Sequence, residues 1–424
     1  HNPPIYNGYK VYWNDGAQIV PPQDGAIINE VNNVKVDEIK FKGNDELITI
    51  IGKEIDEVFI DACVENGSFT NEGKKDIKIV FTSIHGTAVA ITPKAFEKAG
   101  FTQVHQVAEQ AIPSGDFPTV KSPNPEEPEA LTMAVALANE IDADVVIGTD
   151  PDADRVGVAT RNNDGEIVLL NGNQMNTVLT YYLLEKWQEA GKLNGKEFIG
   201  STIVTSDIFY DIAAKFNVDC KVGLTGFKWI ADMIRQFEGV EKFIGGGEES
   251  FGFMVGDFIR DKDSVTTALL VSEIAAVQKA KGSSLYNKLT EIYVEIGKAY
   301  QEDLTNIVKP GKEGAELIAQ MMVDFRANSP KELAGSAVVK VKDFQTSIEK
   351  DLVSGEEKTI DIPKSNVLIF YTADGSKVAC RPSGTEPKIK YYFSVNAPIS
   401  NAADYPTIQK QLMDKIALLK EDFK

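Results

Sequence analysis

Cysteine is nearly absent from this sequence, and the three residues present, Cys63, Cys220 and Cys380, are odd in number, far apart and outside any Cys-x-x-Cys pair. That excludes a disulfide-stapled scaffold and the common zinc and dithiol arrangements, and a reducing compartment fits best. Long apolar runs are missing as well: no stretch approaches the ~20 residues that a membrane-spanning helix needs. The first residues lack the basic-then-apolar order of an export signal. The expectation is a cytoplasmic protein with no membrane partner. Positive charge is also short. A net charge of −19 opposes a nucleic-acid surface and docking on anionic lipid alike, so an anionic ligand must be met by a local basic patch. Methionine is absent from position 1; the chain opens at His1, inside what reads as a motif, and a fragment is expected.

What is present is a globular composition, 43% hydrophobic and 25% charged over 424 residues, enough for about three or four domains. From Ile77 onward short β-branched runs alternate with amphipathic stretches, the pattern of βαβ units and mostly parallel sheets. The pattern occurs twice. The first pass predicts strands over 77–82, 103–107 and 144–148, with one helix opened by Thr92 and Pro93 and closed by Gly100 and another over 129–141. The second predicts strands over 198–205, 220–223 and 242–245, with helices over 207–216, 227–237 and 264–280. Residues 1–33 carry a hairpin turn at Asn14-Asp15-Gly16 and belong to an incomplete first domain. After Leu285 the pattern changes to helices and antiparallel strands, ending in a helix with Ile408, Leu412, Ile416 and Leu419 on one face. The expected class is therefore α/β: successive mixed or parallel βαβ domains around a central cleft, followed by an α+β domain. Expected boundaries are 1–72, 73–170, 171–297 and 298–424. Nothing in the sequence reads out the oligomeric state.

Four polar clusters can carry chemistry. In Asp150-Pro151-Asp152-Ala153-Asp154-Arg155 three carboxylates at alternate positions can turn to one point and offer hard oxygen ligands for Mg2+ or Ca2+. Unpaired they repel, since two charges at ~4 Å cost about 4 kcal/mol at an effective dielectric of 20. An EF-hand is excluded, because Arg155 stands at the required glycine and Arg161 at the required glutamate. In Gly245-Gly246-Gly247-Glu248-Glu249-Ser250 the glycines permit close backbone approach and the side chains suit sugar hydroxyls, although the run also reads as a turn with exposed glutamates. Arg381-Pro382-Ser383-Gly384-Thr385-Glu386-Pro387 combines a guanidinium, hydroxyls and turn N–H groups, a concavity able to hold phosphate. Near the start, Lys10 would serve as a general acid or base if burial or neighbouring cations lower its pKa. Gly226 and Lys228 at a helix start, and Lys262 in Arg260-Asp261-Lys262-Asp263, place further cations where phosphate can be met. His85-Gly86 reads as a structural turn.

In order along the chain, HNPPIYNGYK (1–10), TDPDADR (149–155), GGGEESFGF (245–253) and RPSGTEPK (381–388) resemble the four active-site loops of the α-D-phosphohexomutase superfamily, spaced about one per domain. The variants GEESFG, RDKD and TGFKW look closer to its phosphoglucomutase and phosphopentomutase branches. The resemblance implies a phosphosugar mutase that moves a phosphoryl group between the 1- and 6-positions of a glucose or mannose phosphate. It implies a phosphoserine enzyme and a hexose bisphosphate intermediate or activator. The serine would stand just before His1, so the 424-residue chain alone is expected to be inactive. By the same resemblance Asp150, Asp152 and Asp154 hold Mg2+, Arg155 meets the transferred phosphoryl group, Lys10 is the acid/base and His1 neighbours the donor. Glu248 and Ser250 hold sugar hydroxyls, with Gly226, Lys228 and Lys262 as further substrate contacts. Arg381, Ser383, Gly384 and Thr385 grip the distal phosphate. A pentose phosphate mutase, or a non-catalytic phosphosugar- or metal-binding protein of this fold, is the alternative.

Overall fold

A computed structural model of the chain describes residues 9–384 and 387–423. Two compact units are present: one runs to Ser201 and adds Phe216–Val222 and Gly226–Lys288, the other comprises Thr202–Lys215, Gly223–Thr225 and Leu289–Lys424.

In the first unit the strands β1 (Ile79–Thr82), β2 (Val104–Gln106), β3 (Val145–Thr149), β4 (Val156–Arg161) and β5 (Ile167–Leu170) form one sheet in the order β2-β1-β3-β4-β5. The pairs β1–β2 and β1–β3 are parallel, as the βαβ pattern predicts, while β4 and β5 return antiparallel. Every residue of β1 and β3 is buried, which is why both read as unbroken apolar runs. Val80, Val146 and Ala159 pack against Ala134 and Ala138 of the helix Thr132–Glu140.

The strands β6 (Glu197–Thr202), β7 (Asp219–Gly223), β8 (Lys242–Glu248) and β9 (Gly252–Val255) form a second sheet, ordered β7-β6-β8-β9. Here β6 and β8 are parallel and β9 returns antiparallel on β8. The helices Phe227–Phe237 and Ser264–Ala280 have the bounds expected from the sequence. Asp263 caps the second, its side chain accepting from the N–H groups of Val265 and Thr266 at 3.0 and 2.9 Å. The helix Gly172–Glu189 is an addition: Gly172 to Leu184 are all buried, so it shows no apolar stripe to announce it. The Asn14-Asp15-Gly16 turn is present, with a Tyr12–Gln18 antiparallel bridge and Gly16 at φ +79°.

The second unit is built on an antiparallel sheet. Its strands are ordered Lys298–Val308, Lys388–Pro398, Lys377–Pro382, Leu368–Thr372, Ser336–Asp343, Ile348–Asp351 and Glu357–Thr359. The helix Tyr405–Glu421 buries Tyr405, Leu412, Ile416 and Leu419, the face expected from its spacing apart from Ile408. Lys377 ties the sheet to the short segment 202–215, donating to Thr205 O at 2.8 Å and Asp207 Oδ1 at 2.7 Å. The class is thus α/β with mixed sheets, followed by an α+β region.

Candidate active site

The acidic loop sits at the hairpin between β3 and β4, where the buried strand delivers Asp150 into the interior with no exposed surface. Asp150 Oδ1 accepts from the N–H groups of Asp154 and Arg155, both at 3.0 Å, and Ala153 N donates to Asp150 O at 3.1 Å. Ala153 takes φ +61° to close the turn. One ligand oxygen from each of Asp150, Asp152 and Asp154 lies within 4.8 Å of the others. The loop is held from outside as well: Thr87 donates to Pro151 O through both its N–H and its Oγ1 at 2.9 Å. A Cβ on Gly86 would stand 2.5 Å from Pro151 Cα, so only glycine fits there. His85 is a structural turn residue, as expected; it is buried with Nδ1 2.8 Å from Ile112 O and Nε2 2.9 Å from Thr119 Oγ1.

Three cations surround these carboxylates. Lys10 Nζ lies 3.0 Å from Asp152 Oδ2 and 3.2 Å from Asp154 Oδ2, and Lys262 Nζ lies 3.0 Å from Asp154 Oδ2. Arg155 donates from Nη1 to Glu126 Oε1 at 2.6 Å, and its Nε is 3.9 Å from Asp150 Oδ2 and 3.8 Å from Asp154 Oδ1. Burial pushes the Asp150 carboxyl up to about 8, with the Asp154 and Asp152 charges adding to it. Burial raises Asp154 too, but Lys262 and Lys10 outweigh it and hold that carboxyl below its ordinary value. Burial works to lower the Lys10 ammonium, and the charges of Asp154 and Asp152 overcome it and raise it above its usual value. This is the reverse of the depressed lysine the sequence allowed, because the groups facing Lys10 are anions.

Two oxygens in this cluster, Asp150 Oδ2 and Asp154 Oδ1, are buried and have no hydrogen-bond partner. Orphaned buried carboxylate oxygens are costly. Together with the hard-oxygen donor set, they fit a divalent cation at this point.

The glycine-rich segment lies directly beside this loop. Val156 N donates to Phe251 O at 3.1 Å and Arg155 bridges to Gly252. It is not a turn with exposed glutamates: Gly245, Gly246 and Gly247 belong to β8, and Glu248 and Glu249 are buried. The glycines answer to packing, since a Cβ on Gly246 would stand 2.2 Å from Gly200 O and one on Gly247 2.4 Å from Asn176 Nδ2. Burial pushes Glu248 up to about 7; Glu249 adds to this, while Lys262 and Arg155 oppose it. Ser250 follows at the turn before β9 and is partly exposed. Gly226, at φ +110°, leads into the helix Phe227–Phe237. Lys228 on that helix stands 3.9 Å from Asp24.

In the second unit Arg381 is the last residue but one of the strand Lys377–Pro382, paired in register with Lys390, and Ser383 N donates to Lys388 O at 2.8 Å. Gly384 follows in a bend. His1 and Thr385 lie outside the described residues.

Residues 57–165 match the profile of phosphoglucomutase/phosphomannomutase, alpha/beta/alpha domain II, residues 171–293 that of alpha/beta/alpha domain III, and residues 1–38 that of alpha/beta/alpha domain I. The chain is 38% identical over 402 residues to a phosphoglucomutase of Staphylococcus aureus, covering 94% of this chain and 71% of the relative. The chain belongs to the phosphoglucomutase/phosphomannomutase family. That family is one of hexose phosphate mutases. A phosphoglucomutase of Staphylococcus epidermidis is 36% identical over 402 residues, with 93% of this chain and 72% of the relative covered. Among solved structures, a putative phosphomannomutase from Thermus thermophilus superposes with a TM-score of 0.57 at 18% identity, over 85% of this chain and 66% of that one. At that identity the likeness is one of fold.

Two residues of this cluster escaped the sequence. Glu126, in the proline-rich segment before the helix Thr132–Glu140, holds the Arg155 guanidinium. Asn176, fully buried on the helix Gly172–Glu189, donates from Nδ2 to Glu248 O at 2.9 Å and fixes the end of β8. Each is a polar residue in an unremarkable setting, and only the fold brings it to the loop it holds.

Proposed function

We propose that this chain carries the metal and sugar loops of a cytoplasmic, Mg2+-dependent mutase that moves a phosphoryl group between the 1- and 6-positions of glucose or mannose phosphate. The group passes through a phosphoserine enzyme and a hexose bisphosphate. The observation that supports this reading best is the acidic cluster: three carboxylate oxygens within 4.8 Å of one another, two buried oxygens without a hydrogen-bond partner, and Arg155 alongside.

Asp150, Asp152 and Asp154 would hold the Mg2+, which when bound supplies positive charge against the charge that develops on a transferring phosphoryl group. Arg155, aimed by Glu126, offers its guanidinium to the same phosphoryl oxygens. Protonated Lys10 would give a proton to a sugar oxygen. Its return as a base requires that the negative charge of Asp152 and Asp154 be neutralised. Glu248, close to neutral pH in its titration, can accept from or donate to a sugar hydroxyl, and Ser250 stands near the same turn. Gly226, Lys228 and Lys262 are further substrate contacts. Arg381, Ser383, Gly384 and Thr385 are the proposed grip for the non-reacting phosphate, and His1 the neighbour of the phosphoryl donor. Divided by loop, the domains are 1–72, 73–170, 171–297 and 298–424.

The test is an assay of the chain extended to include the phosphoserine position. Mg2+-dependent conversion of glucose 1-phosphate or mannose 1-phosphate to the 6-phosphate is expected. Stoichiometric release of inorganic phosphate, or turnover of pentose phosphates alone, would contradict the proposal.

A further inference from the structure

The carboxylate cluster is already neutralised by the chain itself. Lys262 is built into its position. Its side chain is 11% exposed, and it passes where Gly252 leaves room, since a Cβ there would stand 2.3 Å from Lys262 Cδ. Its ammonium lies 5.3 Å over the Phe227 ring and 3.3 Å from Asp261 Oδ1. Asp261 is steadied in turn by Tyr12, whose hydroxyl donates to Asp261 Oδ2 at 2.7 Å. From this seat Lys262 reaches Asp154 Oδ2 at 3.0 Å, the oxygen that Lys10 also meets at 3.2 Å, while Lys10 spans to Asp152 Oδ2 at 3.0 Å.

We infer that Lys262 and Lys10 are displaceable counter-ions of the metal site: they hold Asp152 and Asp154 in place without a divalent cation, and the cation must push their ammonium groups off those oxygens to bind. The inference rests on the metal-binding reading above. Three carboxylates this close repel one another, and two ammonium groups relieve that repulsion. The same ammonium groups repel an incoming dication at short range, so they keep the loop in order and weaken its hold on the metal. Once displaced, Lys262 keeps its charge and is anchored beside β9, free to meet an anionic substrate group. Metal binding and phosphosugar binding therefore favour each other, and the coupling is reciprocal.

Calorimetric titration of Mg2+ into the 424-residue chain tests this. Lys262→Gln, which removes the charge and keeps most of the length, is expected to bind Mg2+ more tightly by about tenfold, while Lys262→Arg stays within about twofold of the parent. A second measurement needs no variant: acetylation of lysines by an activated ester, read by mass spectrometry. Adding Mg2+ should speed labelling of Lys262 and Lys10 several-fold and leave buried Lys74, which donates to Ala99 O at 3.0 Å, unchanged. Unchanged or weaker Mg2+ binding by a folded Lys262→Gln overturns the inference, as does labelling indifferent to Mg2+. If the parent binds Mg2+ and these outcomes occur, the metal site stands and the displacement falls. If the parent binds no Mg2+ at all, both fall.

Discussion

The acidic loop and the glycine-rich loop occupy equivalent places in their two sheets. Each follows a strand of the parallel core, β3 or β8, and precedes an antiparallel return, β4 or β9. The chemistry placed there is opposite. In the first, three aspartates gather with more negative charge than the buried backbone N–H groups can satisfy, and two oxygens remain without a hydrogen-bond partner. In the second, glycines let β8 lie against Gly200 and Asn176, and a buried glutamate is left under the cations Lys262 and Arg155. One scaffold position therefore serves two purposes. The first loop, its charge met by the ammonium groups of Lys10 and Lys262, still offers two oxygens without a hydrogen-bond partner, and the second presents hydrogen-bonding groups.

Breaking the first loop has the larger effect. Asp150→Ala removes both the proposed carboxylate ligand and the acceptor of two loop N–H groups. Mg2+ affinity measured by calorimetry should fall by more than about 100-fold, since even the loss of an outer partner costs 10–100-fold. The matching lesion in the second sheet strikes the fold instead. In Gly246→Ala the new Cβ would meet Gly200 O at 2.2 Å, and a loss of about 2–3 kcal/mol in thermal or denaturant unfolding is expected.

Glu248 sharpens the contrast through pH. Its carboxyl is raised from 4.5 to about 7 in the folded chain, so the folded state holds this proton more firmly than the unfolded one. Stability from this group is complete below pH 4.5 and is lost as pH rises towards 7. Glu248→Gln should leave the unfolding midpoint unchanged at about pH 4 and raise it at about pH 8; a midpoint that shifts equally at both would contradict this. The smallest effect belongs to Thr87→Val. Losing the hydroxyl bond to Pro151 O while keeping the N–H bond should cost about 1 kcal/mol of stability. Mg2+ affinity should weaken a few-fold.

The acidic loop was legible in the sequence because a fully apolar strand running into alternating aspartates sets three carboxylates together at the end of a buried strand. The helix Phe227–Phe237 was legible through Gly226 at its start and Ser264–Ala280 through the helical spacing of its apolar residues. The returning strands β4 and β9 were not, each carrying a glycine, Gly157 or Gly252, of a type depleted in strands, and neither was β5. The helix Gly172–Glu189 escaped because its buried first turns carry Asn173, Gln174, Asn176, Thr177 and Thr180, so polarity does not mark a solvent face, whereas the equally buried Ser264–Ala280 is richer in apolar residues. The glycines of β8 read as a turn because Gly200 and Asn176, which pack against them, are distant in the chain. The surroundings of Lys10 were hidden for a related reason. Its pKa depends on which charges the fold sets opposite, and those are 142 and 144 positions away in the chain.

The most direct test of the central claim is diffraction from crystals of this chain soaked in Mn2+, which gives an anomalous signal that Mg2+ does not. One peak is expected about 2.1 Å from an oxygen of each of Asp150, Asp152 and Asp154, close to the distances hard oxygen sites require. A map with no peak there, or one in which the three carboxylates point apart around it, would contradict the account.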